Sequence, residues 1–161
     1  MRTEWRFNLV LALAVLLAAC GRQTPAGPQY SIEVWKSPTC SCCKKWVEYL
    51  QREGFKVTVH EEPAMNPLKA KLGVPEAVAS CHTGLVNGYV IEGHVPAEDI
   101  RKLLVEKPKT QGLSAPGMPI GSPGMEVDGQ QEPYETVLFN ADGTTKTFAE
   151  HGGRPAVPTK P

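Results

Sequence analysis

The segment SPTCSCCKKW, residues 37–46, crowds three thiols into four positions: Cys40, Cys42 and Cys43, with Lys44 and Lys45 immediately behind them. Cys40 and Cys43 are spaced as C-x-x-C. At the start of a helix, that spacing puts both on one face, a turn apart. The unpaired N–H groups and the positive end of the helix dipole favour thiolates there, and the two lysines add positive charge. A lowered thiol pKa serves two chemistries, because the thiolate is both the nucleophile and the metal ligand. A C-x-x-C at a helix start behind a strand reads, by itself, as a thiol–disulfide redox pair. Cys42 does not help dithiol exchange, since it offers a wrong disulfide partner. It does help to hold a soft metal ion.

The elements that position these thiols follow from periodicity. Residues 30–36 alternate apolar and polar with β-branched and aromatic members, as a strand does. Pro38 and Thr39 suit a helix entry. Residues 40–53 then place Cys43, Trp46, Val47 and Leu50 on one helical stripe. Residues 55–60 alternate again. Short helices are expected over 66–72 and 74–79. Residues 83–86 and 89–93 flank Asn87-Gly88, a two-residue hairpin signal, and 96–106 forms a helix that starts at Pro96. The order β-α-β-α-β-β-α gives an α/β fold: a thioredoxin-like mixed sheet with flanking helices. Residues 107–150 form a Gly/Pro-rich C-terminal extension packing on the same domain and ending in a β-hairpin, from 136–140 and 144–148. Residues 151–161 are expected to be a disordered tail.

In a thioredoxin-like arrangement, the loop before the third strand faces the N-terminus of the first helix. Here that loop reads Ser80-Cys81-His82-Thr83, with no proline, so Cys81 should point at the other three thiols. Four converging sulfurs without hard ligands suit Cu(I), singly or in a multinuclear cluster, or tetrahedral Zn(II). His82 lies in or beside the site. Met118 and Met125 sit in GMPIGSPGME; thioethers select Cu(I), but loop methionines also serve as packing plugs. A loop folded over the metal is the expectation. His60 and His94 close predicted strands and read as surface residues, and His151 as part of the tail. Trp35 and Trp46 read as core or site-wall aromatics.

The first residues carry Arg2 and Arg6, and 9–19 is an apolar run too short to span a bilayer. It reads as a signal peptide over 1–19. Leu17-Ala18-Ala19-Cys20 resembles a lipobox, so Cys20 becomes the acylated N-terminus and holds the protein to a membrane. By resemblance to Gram-negative lipoproteins, Gly21 after that cysteine suggests a periplasmic protein at the outer membrane. Residues 20–29 are a Pro/Gly-rich tether. The whole chain holds 17 basic and 17 acidic side chains, and removing Arg2, Arg6 and Glu4 leaves 15 and 16. No basic patch of nucleic-acid type is present. An exported chain lives where disulfides persist, so Cys40, Cys42, Cys43 and Cys81 permit two structural disulfides. Any such pairing must join two cysteines inside 40–43, and neighbours such as Cys42 and Cys43 meet disulfide geometry only with strain.

SPTCSCCKKW, GVPEAVASCHT, NGYVIEGHVPAEDI and GMPIGSPGME together resemble the CopG-like copper-resistance family, over residues 32–148. That family usually has glycine where Ser41 stands, a small-for-small difference. The resemblance implies a thioredoxin-like fold and copper held by Cys40, Cys42, Cys43 and Cys81. It also implies a role in copper handling that extends to Cu(II)/Cu(I) conversion, as a copper oxidoreductase in contact with other periplasmic copper-handling proteins. Two alternatives stand beside it: a thiol–disulfide oxidoreductase that uses Cys40 and Cys43 alone, and a structural zinc-binding adaptor.

Overall fold

The computed structural model describes residues 29–152. Residues 1–28, with the expected signal peptide, Cys20 and most of the expected tether, and residues 153–161 lie outside the described residues. Seven strands form one mixed sheet: β1 (Ser31–Lys36), β2 (Lys56–Glu61), β3 (His82–Val86), β4 (Tyr89–Glu92), β5 (Gly112–Ser114), β6 (Tyr134–Phe139) and β7 (Thr145–His151). The strand order is β2-β1-β3-β4-β5-β6-β7. The helices are α1 (Ser41–Arg52), α2 (Met65–Lys71) and α3 (Ala97–Glu106), with a 3₁₀ turn at Glu76–Val78.

β1 and β2 run parallel, as two strands joined by a crossover helix must. β3 returns antiparallel to β1, and β4 pairs with β3 through Asn87 and Gly88. Both turn residues take positive φ, 47° and 86°, the conformation of a tight hairpin turn whose twist matches its strands. β5 then joins β4 in parallel, and β6 and β7 extend the sheet antiparallel. The C-terminal third therefore continues the same sheet. β5, within a stretch expected to be irregular, is the link: only three residues long, too short for a periodic signal.

Alternation along the strands sends side chains to two faces. Ile32, Val34, Ile91 and Leu113 pack with Trp46, Val47 and Leu50 of α1 and Ile100, Leu103 and Leu104 of α3. Val90 points the other way and packs with Val74, Val78 and Phe139. Each such apolar side chain contributes about 1.5–3 kcal/mol when fully buried. The larger cluster seats α1, and Trp46 fixes its start: the ring is fully buried and its Nε1–H donates to the Val95 carbonyl at 2.9 Å.

Trp35 departs from expectation. It is only half-buried and stacks on His60 of the outer strand β2, ring centroids 4.8 Å apart, so it belongs neither to the core nor to the site wall. His151 also differs. It ends β7, and its Nε2 stands 2.7 Å from a carboxylate oxygen of the buried Asp99, which also accepts from Thr136 at 2.6 Å.

Candidate metal centre

The site forms where α1 begins. Cys40 is the N-cap residue, with extended backbone, and its sulfur accepts from the Cys43 N–H at 3.2 Å. One turn of helix thus brings Cys43 back beneath Cys40, and the two are joined as a disulfide with Cα atoms 5.4 Å apart. Cys42 and Cys81 are free. The pair of structural disulfides that four cysteines permit is replaced by one disulfide and two thiols. The Cys42 sulfur lies 3.4 Å from that of Cys40.

Cys81 arrives from the residue before β3. The sulfurs of Cys40, Cys42, Cys43 and Cys81 all lie within 4.8 Å of one another. That distance lets one soft ion, or a small group of ions bridged by thiolates, touch all four once the disulfide is open. The Cys81 thiol is pushed up to about 12, first by burial and then by the nearby Cys42. Cys81 is therefore a protonated thiol at neutral pH, and a metal ion must displace its proton to bind.

Two imidazoles flank the Cys81 sulfur, and the three groups also lie within 4.8 Å of one another. His94 is fully buried, not the surface residue that its place after a strand suggested. Its Nε2 stands 3.1 Å from the Cys81 sulfur and its Nδ1 2.7 Å from the Pro123 carbonyl oxygen. A carbonyl only accepts, so Nδ1 carries the proton and Nε2 turns its lone pair on the sulfur. A histidine held through one ring N–H to a backbone carbonyl, with the lone pair of the other nitrogen turned on a candidate ligand sulfur, has the arrangement of a metal ligand. His82 is fully buried too, with Nδ1 3.2 Å from the same sulfur. Among the described residues its Nε2 meets no partner. An orphaned lone pair costs less than an orphaned N–H, which assigns the proton to Nδ1, where it donates to the sulfur. Burial lowers the basicity of both rings; His94 adds to the effect on His82. Trp46 walls the site, its ring 4.3 Å from that of His82.

The Gly/Pro-rich segment 115–125 straps across this cluster. The Ser80 hydroxyl bonds the Gly117 carbonyl, and Pro123 holds His94. Gly124 sits against the start of α1: a Cβ there would meet Trp46 N at 2.9 Å, Cys42 O at 3.0 Å and His94 Nδ1 at 3.2 Å. Its φ of +87° is a second reason for glycine. Met118, beside Gly117, is 54% exposed, whereas Met125, beside Gly124, is partly buried. The cysteines were visible from their spacing. His94 was not, because the strap that buries it comes from far downstream.

Sulfur and imidazole donors fit soft or borderline ions such as Cu(I) and Zn(II) and poorly suit Mg(II) or Ca(II). Residues 78–125 match a family described as "Protein of unknown function, DUF411". No curated protein matches the chain. Two solved structures, copper resistance protein CopG in form 1 and in form 2, are each 44% identical to it, with a TM-score of 0.73. Each match covers 78% of this chain and 100% of that one. At that identity and coverage, the chain belongs to the family of the copper resistance protein CopG.

Proposed function

We propose that this protein binds copper as Cu(I) in the cluster of Cys40, Cys42, Cys43 and Cys81, with His94 and His82 beside it, as a copper-resistance protein. The observation that carries the reading is the convergence of four sulfurs within 4.8 Å, in a relative of a copper resistance protein. The β1-α1-β2 crossover with β3 and β4 added antiparallel is read as a thioredoxin-like core, which explains why Cys81 meets the head of α1. Met118 and Met125, carried on the strap, serve as auxiliary thioethers. The protein acts in the periplasm, held to the outer membrane through an acylated Cys20, and exchanges copper with other copper-handling proteins there.

The Cys40–Cys43 pair gives the site a redox arm. Two thiols each lose one proton and one electron, an S–S bond forms, and two Cu(II) become two Cu(I). Cys42, Cys81 and the imidazoles remain to hold the product. A dithiol donor reopens the disulfide by exchange and resets the protein.

Anaerobic titration of the fully reduced protein with Cu(I), against a chromophoric chelator, tests the binding. Tight binding that collapses in Cys42→Ser and Cys81→Ser is expected; binding indifferent to both changes overturns the reading. The Cys40–Cys43 disulfide also supports a second reading, a thiol–disulfide oxidoreductase indifferent to Cys81. Disulfide-exchange activity that survives Cys81→Ser, in protein purified without copper, would favour it. Zinc instead of copper in protein from copper-stressed cells would favour a structural zinc adaptor.

A further inference from the structure

A buried ion pair lies directly behind the Cys81 segment. Glu92 of β4 is fully buried and Lys69 of α2 is 6% exposed. Charged side chains are almost never buried to this degree unless paired, and here Lys69 Nζ meets Glu92 Oε1. The pair does more than satisfy itself. Glu92 Oε1 also accepts the backbone N–H of Ser80 at 2.7 Å. Glu92 Oε2 accepts the hydroxyl of Thr83, its cross-strand partner, at 2.7 Å, and Lys69 donates to the same hydroxyl at 2.9 Å. Ser80 and Thr83 are the residues on either side of Cys81 and His82.

The next two residues of the chain complete the hold. The Gly93 N–H donates to the His82 carbonyl at 3.0 Å, and His94 Nε2 faces the Cys81 sulfur. Three consecutive residues, Glu92 at the end of β4 and Gly93 and His94 after it, thus hold the four consecutive residues from Ser80 to Thr83 on the opposite segment. A buried ion pair is weak evidence of stabilisation, because replacing both partners by apolar groups is often neutral or favourable. Its two carboxylate oxygens, however, hold the two residues that bracket Cys81 and His82.

We infer that Glu92, seated by Lys69, is a positioning residue that fixes the Cys81–His82 segment against the thiols of α1. It does so through a backbone N–H and a hydroxyl and touches no metal. The inference rests on the reading of Cys81 as a ligand, yet it is tested without copper.

The test uses the disulfide form of the protein, in which Cys42 and Cys81 are the free thiols. N-ethylmaleimide modification of each is followed by peptide mass spectrometry. In Lys69→Met/Glu92→Leu both charges go and the acceptor goes with them. Losing a hydrogen bond to a charged acceptor opens the segment more often, so Cys81 should react about tenfold faster while Cys42 keeps its rate. In Lys69→Met/Glu92→Gln the charges go but an acceptor for Ser80 stays, and the Cys81 rate should return towards that of the parent. No acceleration, equal acceleration of Cys42 and Cys81, or equal acceleration in both double variants would each overturn the inference. Should the leucine variant not fold, hydrogen exchange of the Ser80 amide in the unaltered apo-protein decides: strong protection is expected, and exchange at loop rates overturns it. Failure of copper binding would leave these results untouched.

Discussion

His94 faces the Cys81 sulfur with one ring nitrogen at 3.1 Å and the Pro123 carbonyl oxygen with the other at 2.7 Å. One imidazole therefore joins the strap over the site to the thiol that reaches α1 from the opposite loop. The lone pair offered to the sulfur is offered equally to an ion bound there.

His94→Phe fills the same buried space and removes that lone pair. Cu(I) affinity should fall by about 10–100-fold, the range seen when a group that supports a metal site is lost. Chelator competition measures it, with the melting temperature of the apo-protein as the control for folding.

The disulfide sets capacity. With Cys40 and Cys43 joined, two of the four cluster sulfurs are withdrawn as thiolate donors. Copper bound per chain should drop in the oxidised protein and recover on reduction with a non-thiol phosphine. Cys43→Ser should bind the same amount before and after reduction. Elemental analysis after gel filtration reads the difference.

Acid should destabilise the apo-protein through its buried imidazoles. The pKa of His82 is held well below 6.5 by burial, and that of His94 is lowered for the same reason. Above pH 6.5 both folded and unfolded chains keep these rings neutral. As pH falls below 6.5 the unfolded chain takes up protons first, so stability is lost. At the alkaline end the sign comes from Cys81. Its thiol rises from 9.0 to about 12 in the fold, so stability is full below pH 9 and declines as pH climbs from there towards 12. Denaturant midpoints against pH check both limbs. Cys81→Ser should make the alkaline one shallower, the raised Tyr49 and Tyr134 hydroxyls accounting for the rest.

Gly124→Val tests the strap. The new side chain would collide with the Trp46 and Cys42 backbone and with His94, and valine tolerates a positive φ poorly. A loss of about 1–3 kcal/mol is expected, as for overpacking elsewhere. Urea unfolding of the apo-protein measures it, and the affinity for Cu(I) should fall with it.

Much of this centre is written locally. Cys40, Cys42 and Cys43 announce themselves by spacing, and the apolar stripe of Cys43, Trp46, Val47 and Leu50 predicts the helix that presents them. Asn87-Gly88 marks the turn between β3 and β4. His94 is different. In EGHVP it follows a strand and precedes a proline, which locally describes a surface turn. Its burial depends on Pro123 and Gly124, thirty residues away in a segment without periodicity. Glycine in GSPG was the available hint, since a residue without a Cβ permits close backbone approach. Glu92 was equally silent: in a strand, a lone glutamate reads as solvent-facing until its partner Lys69 is seen on another element.

The strap also imposes an order of assembly. The thiols at the head of α1, the Cys81 segment, His94 and the Pro123–Gly124 closure come from four separated stretches, and the last is among the later ones made. Without residues 115–125, the thiols of residues 40–43 and Cys81 have no closure over them. The enclosed, two-imidazole environment exists only after residues 115–125 have folded back. Occupancy of the complete site would therefore report on how far the chain has folded, and a truncation before residue 123 would leave a sticky thiol cluster without its cover.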